Sequence, residues 1–365
     1  MEALKHMIRQ FTPNWFAATM GTGILALALP QVPGASARLH AIGEGLWLFN
    51  IGLFTLFTVL YTLRWIMFWD EAKRIFGHSV ASMFFGTVPM GLATIINGFL
   101  VFGLPRWGES MIDVAQLLWY VDVAMSIASG VLIPYLMFTR QEHAVDKMAA
   151  VWLLPVVACE VASVSGGLLA PHLIGAHAQF MTLIGSYVLW AMSVPVAMSI
   201  LVILILRMTL HKLPHESMAA SSWLSLGPIG TGALGMLVLG NDAPAIFATR
   251  GMAEVGEIAR GVGIVSGTLL WGLGMWWMLM AALITVRYFC AKVPFNLGWW
   301  GYTFPLGVYT VATLKLGVIL KVAEFSELGI MFIAVLSTVW IYVASHTLIG
   351  AAKGHLFVCP VLATK

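Results

Sequence analysis

Apolar stretches about as long as a bilayer is thick recur along the whole chain, and they constrain its fold more than any other feature. A membrane-spanning helix needs about 20 apolar residues, whereas a membrane-spanning β-strand alternates apolar and polar residues over about ten. The stretches here are long and do not alternate, so the sequence predicts an all-α polytopic membrane protein with ten transmembrane helices. The predicted spans are 11–30, 43–65, 80–104, 114–138, 149–170, 178–206, 217–240, 255–286, 294–320 and 327–350.

The composition agrees with this class. Of the 365 residues, 60% are hydrophobic and 10% are charged, whereas a soluble protein has roughly 25% charged residues. The connections between the spans are short, so we expect residues 1–365 to form a single transmembrane domain. The net charge of +3 is small and basic clusters are absent, so nucleic acid is not an expected partner.

The orientation follows from the positive loops. Loops on one side of the predicted spans carry most of the 19 Lys and Arg residues, and such loops lie preferentially in the cytoplasm. This bias places both chain ends in the cytoplasm, which requires an even number of spans and agrees with ten. We expect the protein in the plasma membrane, or in the inner membrane of a cell that has two.

A short motif recurs in the first, third, fifth, seventh and ninth spans. Four copies have proline at the second position, and four have glycine two residues later. Proline interrupts helical hydrogen bonding, and self-similarity at a fixed period is typical of repeat architectures. We therefore predict five tandem helical hairpins around a central pore, with the motif-bearing helices kinked around the axis and the other helices outside. The predicted kinks are at Pro89, Pro155, Pro228 and Pro305.

The residue before each proline position is predicted to face this axis and to form a constriction. These residues are Ala18, Val88, Leu154, Gly227 and Phe304. Phe304 is the only large side chain among them, and an apolar constriction opposes the passage of ions by dewetting. We therefore interpret Phe304 as a candidate pore gate. The alternative is an aromatic residue packed between helices.

Three charged residues within the predicted spans are candidates for function, because ionisable groups are costly in a membrane. Lys315 comes eleven residues after Phe304, which places it within about 20° of the same helix face, where it would attract anions. Glu160 and Asp122 are candidates for proton coupling. Alternatively, these three residues form pairs with one another or with hydroxyl and backbone groups.

The sequence has no recognisable catalytic or metal-binding motif. HExxH, GxSxG and Walker sequences are absent, and Cys159, Cys290 and Cys359 are far apart, with no CxxC pair. We therefore expect no enzyme activity, no cofactor, no metal site and no disulfide. A membrane enzyme or a receptor is the alternative class.

Two segments resemble the tellurite-resistance/dicarboxylate transporter family, which includes plant slow anion channels, bacterial tellurite-resistance proteins, fungal malate permeases and sulfite efflux pumps. They are FTPNWFAATMGTGILA at residues 11–26 and WWGYTFPLGVYTVATLKLG at residues 299–317. The resemblance covers essentially the whole chain. It implies five tandem hairpins with a central pore, a homotrimer in which each subunit has its own pore, and a gating role for Phe304.

This resemblance gives two expectations for the function. The first is membrane transport of C4-dicarboxylates such as malate, with the proton as a candidate coupling ion, through a pore occluded by a phenylalanine. The alternative is a passive channel or an exporter for small inorganic anions such as chloride, nitrate, sulfite or tellurite. In both, the partners are a small anionic substrate and the lipid bilayer.

Overall fold

Helices make up most of the chain that the computed structural model describes, residues 2–289 and 293–363, and these ranges contain no β-strand. Nine helices within them are long and apolar enough to cross a membrane. We number the helices of the predicted spans α1 to α10. They are α1 (Ala17–Ala28), α2 (Ala37–Met67), α3 (Ala81–Trp107), α4 (Ser110–Thr139), α5 (Ala150–His172), α6 (Ala176–His211), α7 (Glu216–Ala248), α8 (Ala253–Phe289), α9 (Leu297–Leu320) and α10 (Ala323–Ala352).

Helix α1 differs from the other nine, so the predicted count of ten spans is supported at nine positions. Its α-helical part has 12 residues and is flanked by 3₁₀ turns at Pro13–Phe16 and Leu29–Gln31. Polar and proline residues in these turns make the segment less apolar than the other spans. All of its α-helical residues are buried, so α1 is a short helix enclosed by protein.

Burial divides the helices into an inner and an outer group, as the repeat predicts. In α3, α5, α7 and α9, between 78% and 94% of the most apolar window is buried. In the even-numbered helices this share is only 17% to 33%. The odd-numbered helices are therefore the inner helices, and the even-numbered helices present apolar side chains to the outside.

The inner helices form a closed ring, because α1, α3, α5, α7 and α9 each pack against the next and α9 packs against α1. Two motif glycines allow the close approach. A side chain at Gly91 of α3 would overlap the hydroxyl of Thr19 in α1, and one at Gly21 of α1 would overlap that of Thr303 in α9. These glycines therefore lie in helix–helix contacts.

A tryptophan on each outer helix joins that helix to the ring of inner helices through a hydrogen bond. Each indole N–H donates a hydrogen bond to the inner helix that follows in the chain, and the last outer helix, α10, bonds to the first inner helix, α1. The bonds are Trp47 Nε1 to the Ile95 carbonyl (3.1 Å), Trp119 to the Ala162 carbonyl (2.9 Å), Trp190 to the Gly232 carbonyl (3.0 Å), Trp271 to Thr313 Oγ1 (2.9 Å) and Trp340 to Thr22 Oγ1 (3.1 Å). The two ends of the chain thus close the ring.

The four motif prolines stand in the first turn of an α-helix and not in its middle, where a kink was expected. Pro155 and Pro305 are second residues of α-helical segments, and Pro89 and Pro228 are third residues. The first N–H groups of a helix have no partner within it, so proline is tolerated there. In α3, α5 and α9 a 3₁₀ turn precedes the α-helical segment. In these three helices the proline therefore follows a change from 3₁₀ to α-helix.

Candidate functional site

A cavity of about 410 Å³ opens at the end of the ring where the inner helices begin. We call it the vestibule. Every inner helix contributes to its wall, through Ala17 of α1, Thr87 of α3, Leu154 of α5, Leu224 of α7 and Gly301 of α9. Its described lining residues include no Asp, Glu, Lys or Arg, and polar groups come from asparagine, serine, threonine and one histidine. The vestibule is therefore mainly apolar, with a few uncharged polar groups in its described lining.

The C-terminal segment forms part of the vestibule wall through His355, Leu356 and Val358. It is fastened by Phe357, whose ring stacks on Trp15 with centroids 4.8 Å apart. A second attachment is at Cys359: its backbone N–H donates to Gln10 Oε1 (2.7 Å), and its Sγ accepts from Arg64 Nη2 (3.1 Å). The two ends of the described chain therefore meet beside the vestibule.

A second cavity, of about 10 Å³, lies on the axis of the ring, since all five inner helices line it. We call it the chamber. This volume is about that needed for one water molecule, and an apolar cavity of this size stays dry. The lining residues are Met20, Met90, Leu153, Leu154, Val157, Leu224, Gly227, Phe304 and Pro305. The chamber is therefore an apolar narrowing next to the vestibule.

Three residues line both cavities: Met20, Leu154 and Leu224. We call them the septum, because they separate the vestibule from the chamber. Phe304 lines only the chamber, and its side chain is 3% exposed. A solute moving from the vestibule along the axis would therefore reach the septum before it reaches Phe304.

The structure brings together three of the five residues predicted to form the constriction. Leu154, Gly227 and Phe304 line the chamber, whereas Ala18 and Val88 line neither cavity. In α1 and α3 the preceding residues, Ala17 and Thr87, face the vestibule instead of Ala18 and Val88. An offset of one residue rotates a side chain by about 100°.

Met20 and Met90 take the places of those two residues in the chamber wall. They are the fourth residues of the α-helical segments in α1 and α3, one turn from the first residues, which face the vestibule. Both occupy the third position of the repeated motif, in ATMG and VPMG. This shared methionine is the signal that could have identified them in the sequence.

Lys315 lies far from both cavities. It is in the last turns of α9, about 16 Å along the helix from Phe304, and its side chain is half-buried. Within the described ranges no ion pair joins it to Glu160 or Asp122. The structure therefore does not bring the three charged candidates together, and attraction of anions by Lys315 stays a prediction for the opposite end of the ring.

Glu160 in α5 and Asp122 in α4 are both fully buried, and neither lines the vestibule or the chamber. Glu160 Oε2 accepts a hydrogen bond from Ser193 Oγ at 3.2 Å. Its other oxygen and both Asp122 oxygens have no hydrogen-bond partner among the described residues. Both acids are close enough to Cys159 to interact electrostatically with its thiol. They therefore belong to one buried region beside the axis.

The cysteines lie apart in the fold as they do in the sequence. Cys159 and Cys359 are free and buried, and Cys290 lies outside the described residues. In the part of the chain that the structure describes, no group of three or more His, Cys, Asp or Glu side chains could hold a metal ion.

The fold and these cavities define the class of protein: a multi-pass helical membrane protein with a ring of buried helices around an axis that carries cavities. A sequence profile of the family described as voltage-dependent anion channels matches residues 10–348. The chain belongs to this family, so the resemblance to the superfamily of anion channels and transporters is confirmed.

Individual relatives are similar over nearly the full chain. A sulfite efflux pump of Arthroderma benhamiae is 36% identical over 352 residues, covering 96% of this chain and 93% of the relative. An uncharacterized transporter of Methanocaldococcus jannaschii is 29% identical and covers 98% of both. The malic acid transport protein of Schizosaccharomyces pombe is 23% identical, covering 93% of this chain and 78% of the relative. The family is one of channels and transporters.

Proposed function

We propose that the protein moves small anions along the axis of the five-helix ring, through the vestibule and the chamber. The observation that carries the proposal is that both cavities lie on one axis and that all five inner helices line each of them. Membership of an anion channel family supports it. Phe304 is the candidate gate, because its large buried side chain forms part of the chamber wall.

The vestibule is suited to attract an anion without a fixed cation. The α-helical segments of α1, α3 and α5 begin at Ala17, Thr87 and Leu154, which all line it. A helix N-terminus carries a partial positive charge of roughly +0.5, and this dipole is the source of attraction, since the N–H groups of these three residues are bonded within the preceding 3₁₀ turns. Such a site attracts anions but holds them weakly enough to release them. If the positive loops are cytoplasmic, the vestibule is the cytoplasmic mouth, which suits export.

Sulfite is our first candidate substrate and malate the second. The sulfite efflux pump of Arthroderma benhamiae is 36% identical to this chain, against 23% for the malic acid transport protein. The chamber also favours the smaller ion, because it is narrow and apolar. The cost of removing an ion from water rises with the square of its charge, so a singly charged ion such as hydrogen sulfite should pass more easily than a malate dianion.

Proton coupling through Glu160 or Asp122 is a further part of the proposal. Glu160→Gln keeps the size of the side chain and its contact with Ser193 while removing the titratable group. If anion flux persists but no longer responds to a pH gradient, Glu160 carries the coupling proton. An unchanged response to the gradient removes Glu160 from the mechanism. The homotrimer and the membrane in which the protein resides stay predictions.

The test of the axial pathway is anion flux in proteoliposomes, measured with hydrogen sulfite, chloride and malate, with and without a pH gradient. The blocking variant is Gly227→Leu. The nearest atoms to a Cβ added at Gly227 are in Pro305, 3.8 Å away, so the first carbon is accommodated, and the remaining carbons of leucine exceed the chamber volume of about 10 Å³ and should block it. Gly272→Leu on α8 is the matched control, because nothing lies within 4 Å of an added side chain there.

We expect Gly227→Leu to abolish flux of every anion that the wild type carries, and Gly272→Leu to leave it unchanged. Wild-type flux in folded Gly227→Leu would show that anions do not follow this axis. The anion that is carried, and its response to the pH gradient, separate a sulfite exporter from a malate carrier or a passive channel.

A further inference from the structure

We infer that the septum is a second apolar gate, in series with Phe304. The septum residues Met20, Leu154 and Leu224 stand between the vestibule and the chamber, whereas Phe304 stands beyond them. The inference rests on the proposed axial pathway and adds Met20 and Leu224 to the residues that the repeat motif predicted to face the axis. An anion entering from the vestibule must pass both barriers.

The septum has the properties of a hydrophobic gate. Met20 is 2% exposed and Leu154 is 5% exposed, and both side chains face the axis from α1 and α5. None of the three side chains can replace the water around an ion, and an apolar constriction excludes ions by dewetting. Methionine is unbranched and flexible, so Met20 can change its conformation at small cost.

Leu224 is the part of the septum that is best placed to move. It ends the short helix Ser221–Leu224, and Ser225 separates it from the α-helix Leu226–Ala248. The Ser225 hydroxyl is buried and has no hydrogen-bond partner in the described chain. Leu224 is itself half-buried, so a rotation of its side chain would withdraw it from the axis, while hydrogen bonds of Trp223 and of the Ser222 carbonyl hold the short helix against α8.

Two barriers in series have a distinctive kinetic consequence. When the barriers are equal, removing either one raises the flux by at most about twofold, because the other still limits passage. We therefore expect Phe304→Ala alone, and Met20→Ala with Leu224→Ala, each to raise chloride and hydrogen sulfite flux less than about twofold. The triple variant should raise it about tenfold or more, because effects on one pathway are not additive.

Lipid-facing truncations provide the matched control. Met280 and Leu273 of α8 are 38% and 40% exposed on the outer surface of the bundle. Met280→Ala with Leu273→Ala removes the same side-chain types without touching the axis, and we expect wild-type flux. If the variant with both Met20→Ala and Leu224→Ala does not fold, the single substitution Leu224→Ala, at a half-buried position, is used in its place, alone and combined with Phe304→Ala.

A labelling experiment tests the septum without any need for transport. Gly227 lines the chamber but not the vestibule, so Gly227→Cys, in a chain whose native cysteines are replaced by alanine, places a thiol behind the septum. A charged, water-soluble thiol reagent is added on the vestibule side. We expect slow labelling in the wild-type and Phe304→Ala backgrounds, and labelling at least about tenfold faster with Met20→Ala and Leu224→Ala, because only these open the septum.

The outcomes separate the two proposals. If Phe304→Ala alone raises flux as far as the triple variant, or if labelling is equally fast in all backgrounds, the septum is not a barrier and the inference is wrong. If instead Gly227→Leu leaves transport intact, the axial pathway fails, and the labelling rates still report whether the septum closes the chamber.

Discussion

The bond between Trp340 and Thr22 offers a test of whether the ring is closed by its two ends. The indole Nε1 of Trp340 in α10 donates to Thr22 Oγ1 in α1 at 3.1 Å. Trp340→Phe removes the donor and keeps an aromatic ring, and Thr22→Val removes the acceptor with little change of shape. These two substitutions and their combination form a double-mutant cycle, which isolates the energy of the pair.

The expected magnitude follows from the environment of the bond. Hydrogen bonds between transmembrane helices contribute about 0.6 kcal/mol on average and about 1.7 kcal/mol at most. Thr22 is 1% exposed, so water cannot replace the lost partner and the value should lie in the upper part of this range. We expect a coupling of about 1 kcal/mol. Trp340→Phe alone should cost somewhat more, because the smaller ring also leaves a packing gap.

The assay is reversible unfolding in mixed micelles, with the free energy of unfolding measured for the wild type, both single variants and the double variant. Trp190→Phe is the internal comparison, since the bond from Trp190 to the Gly232 carbonyl joins two consecutive helices. If Trp340→Phe lowers the free energy of unfolding about as much as Trp190→Phe, the contact between the first and last helices stabilises the protein as much as a contact between consecutive helices. Coupling below about 0.3 kcal/mol, the range in which independent sites add, would refute the reasoning.

Two further perturbations test other contacts. Gly23→Ala should lower stability by about 1–3 kcal/mol, because the methyl group would overlap a threonine hydroxyl of α3. Gly52→Ala is the control, because an added methyl group has open space there, and it should be neutral or stabilising. Equal unfolding midpoints of the two variants would contradict this prediction. The Arg9 guanidinium, which donates to both Glu71 oxygens at 2.6 and 2.7 Å, lowers the pKa of that carboxyl. Docking of the N-terminal helix Glu2–Gln10 should therefore be full above the ordinary pKa of 4.5 and weaken as the pH falls through the lowered pKa. In Glu71→Gln, the protection of this helix against hydrogen exchange, relative to the intrinsic rate, should be lower and should not depend on this titration; unchanged protection would contradict the pairing.

The sequence was sufficient to predict the class, the hairpin repeat and most helix positions, because long apolar runs and a recurring motif depend only on local composition. It did not predict which residues face the axis in α1 and α3. Ala18 and Val88 align with Leu154 and Phe304 in the motif, but Met20 and Met90 line the chamber from α1 and α3 in their place. Which face of a helix points to the axis depends on how the helix packs in the ring, and a local motif does not encode this packing.

The tryptophan bonds were missed for a different reason. Every outer helix contains at least one tryptophan, but the chain contains 15 tryptophans, and nothing in the sequence distinguishes the five that bond to the ring. Their acceptors are backbone carbonyls or hydroxyls on another helix, which leave no specific residue type at a fixed spacing. Of the septum, Leu154 was predicted to face the axis, whereas Leu224 lies outside the repeated motif and was missed.

The closure of the ring has a consequence for the order of the hairpins along the chain. The contact of α10 with α1 uses the same donor, an indole N–H, as the contacts of α2 with α3 and of α4 with α5. Gln10 and Cys359 are also joined by a hydrogen bond of 2.7 Å, so a short linker could connect the two termini. A circular permutant that begins at α3 and ends with α2 should therefore assemble the same ring of helices. In this permutant the original N-terminus would lie in a connection within the chain.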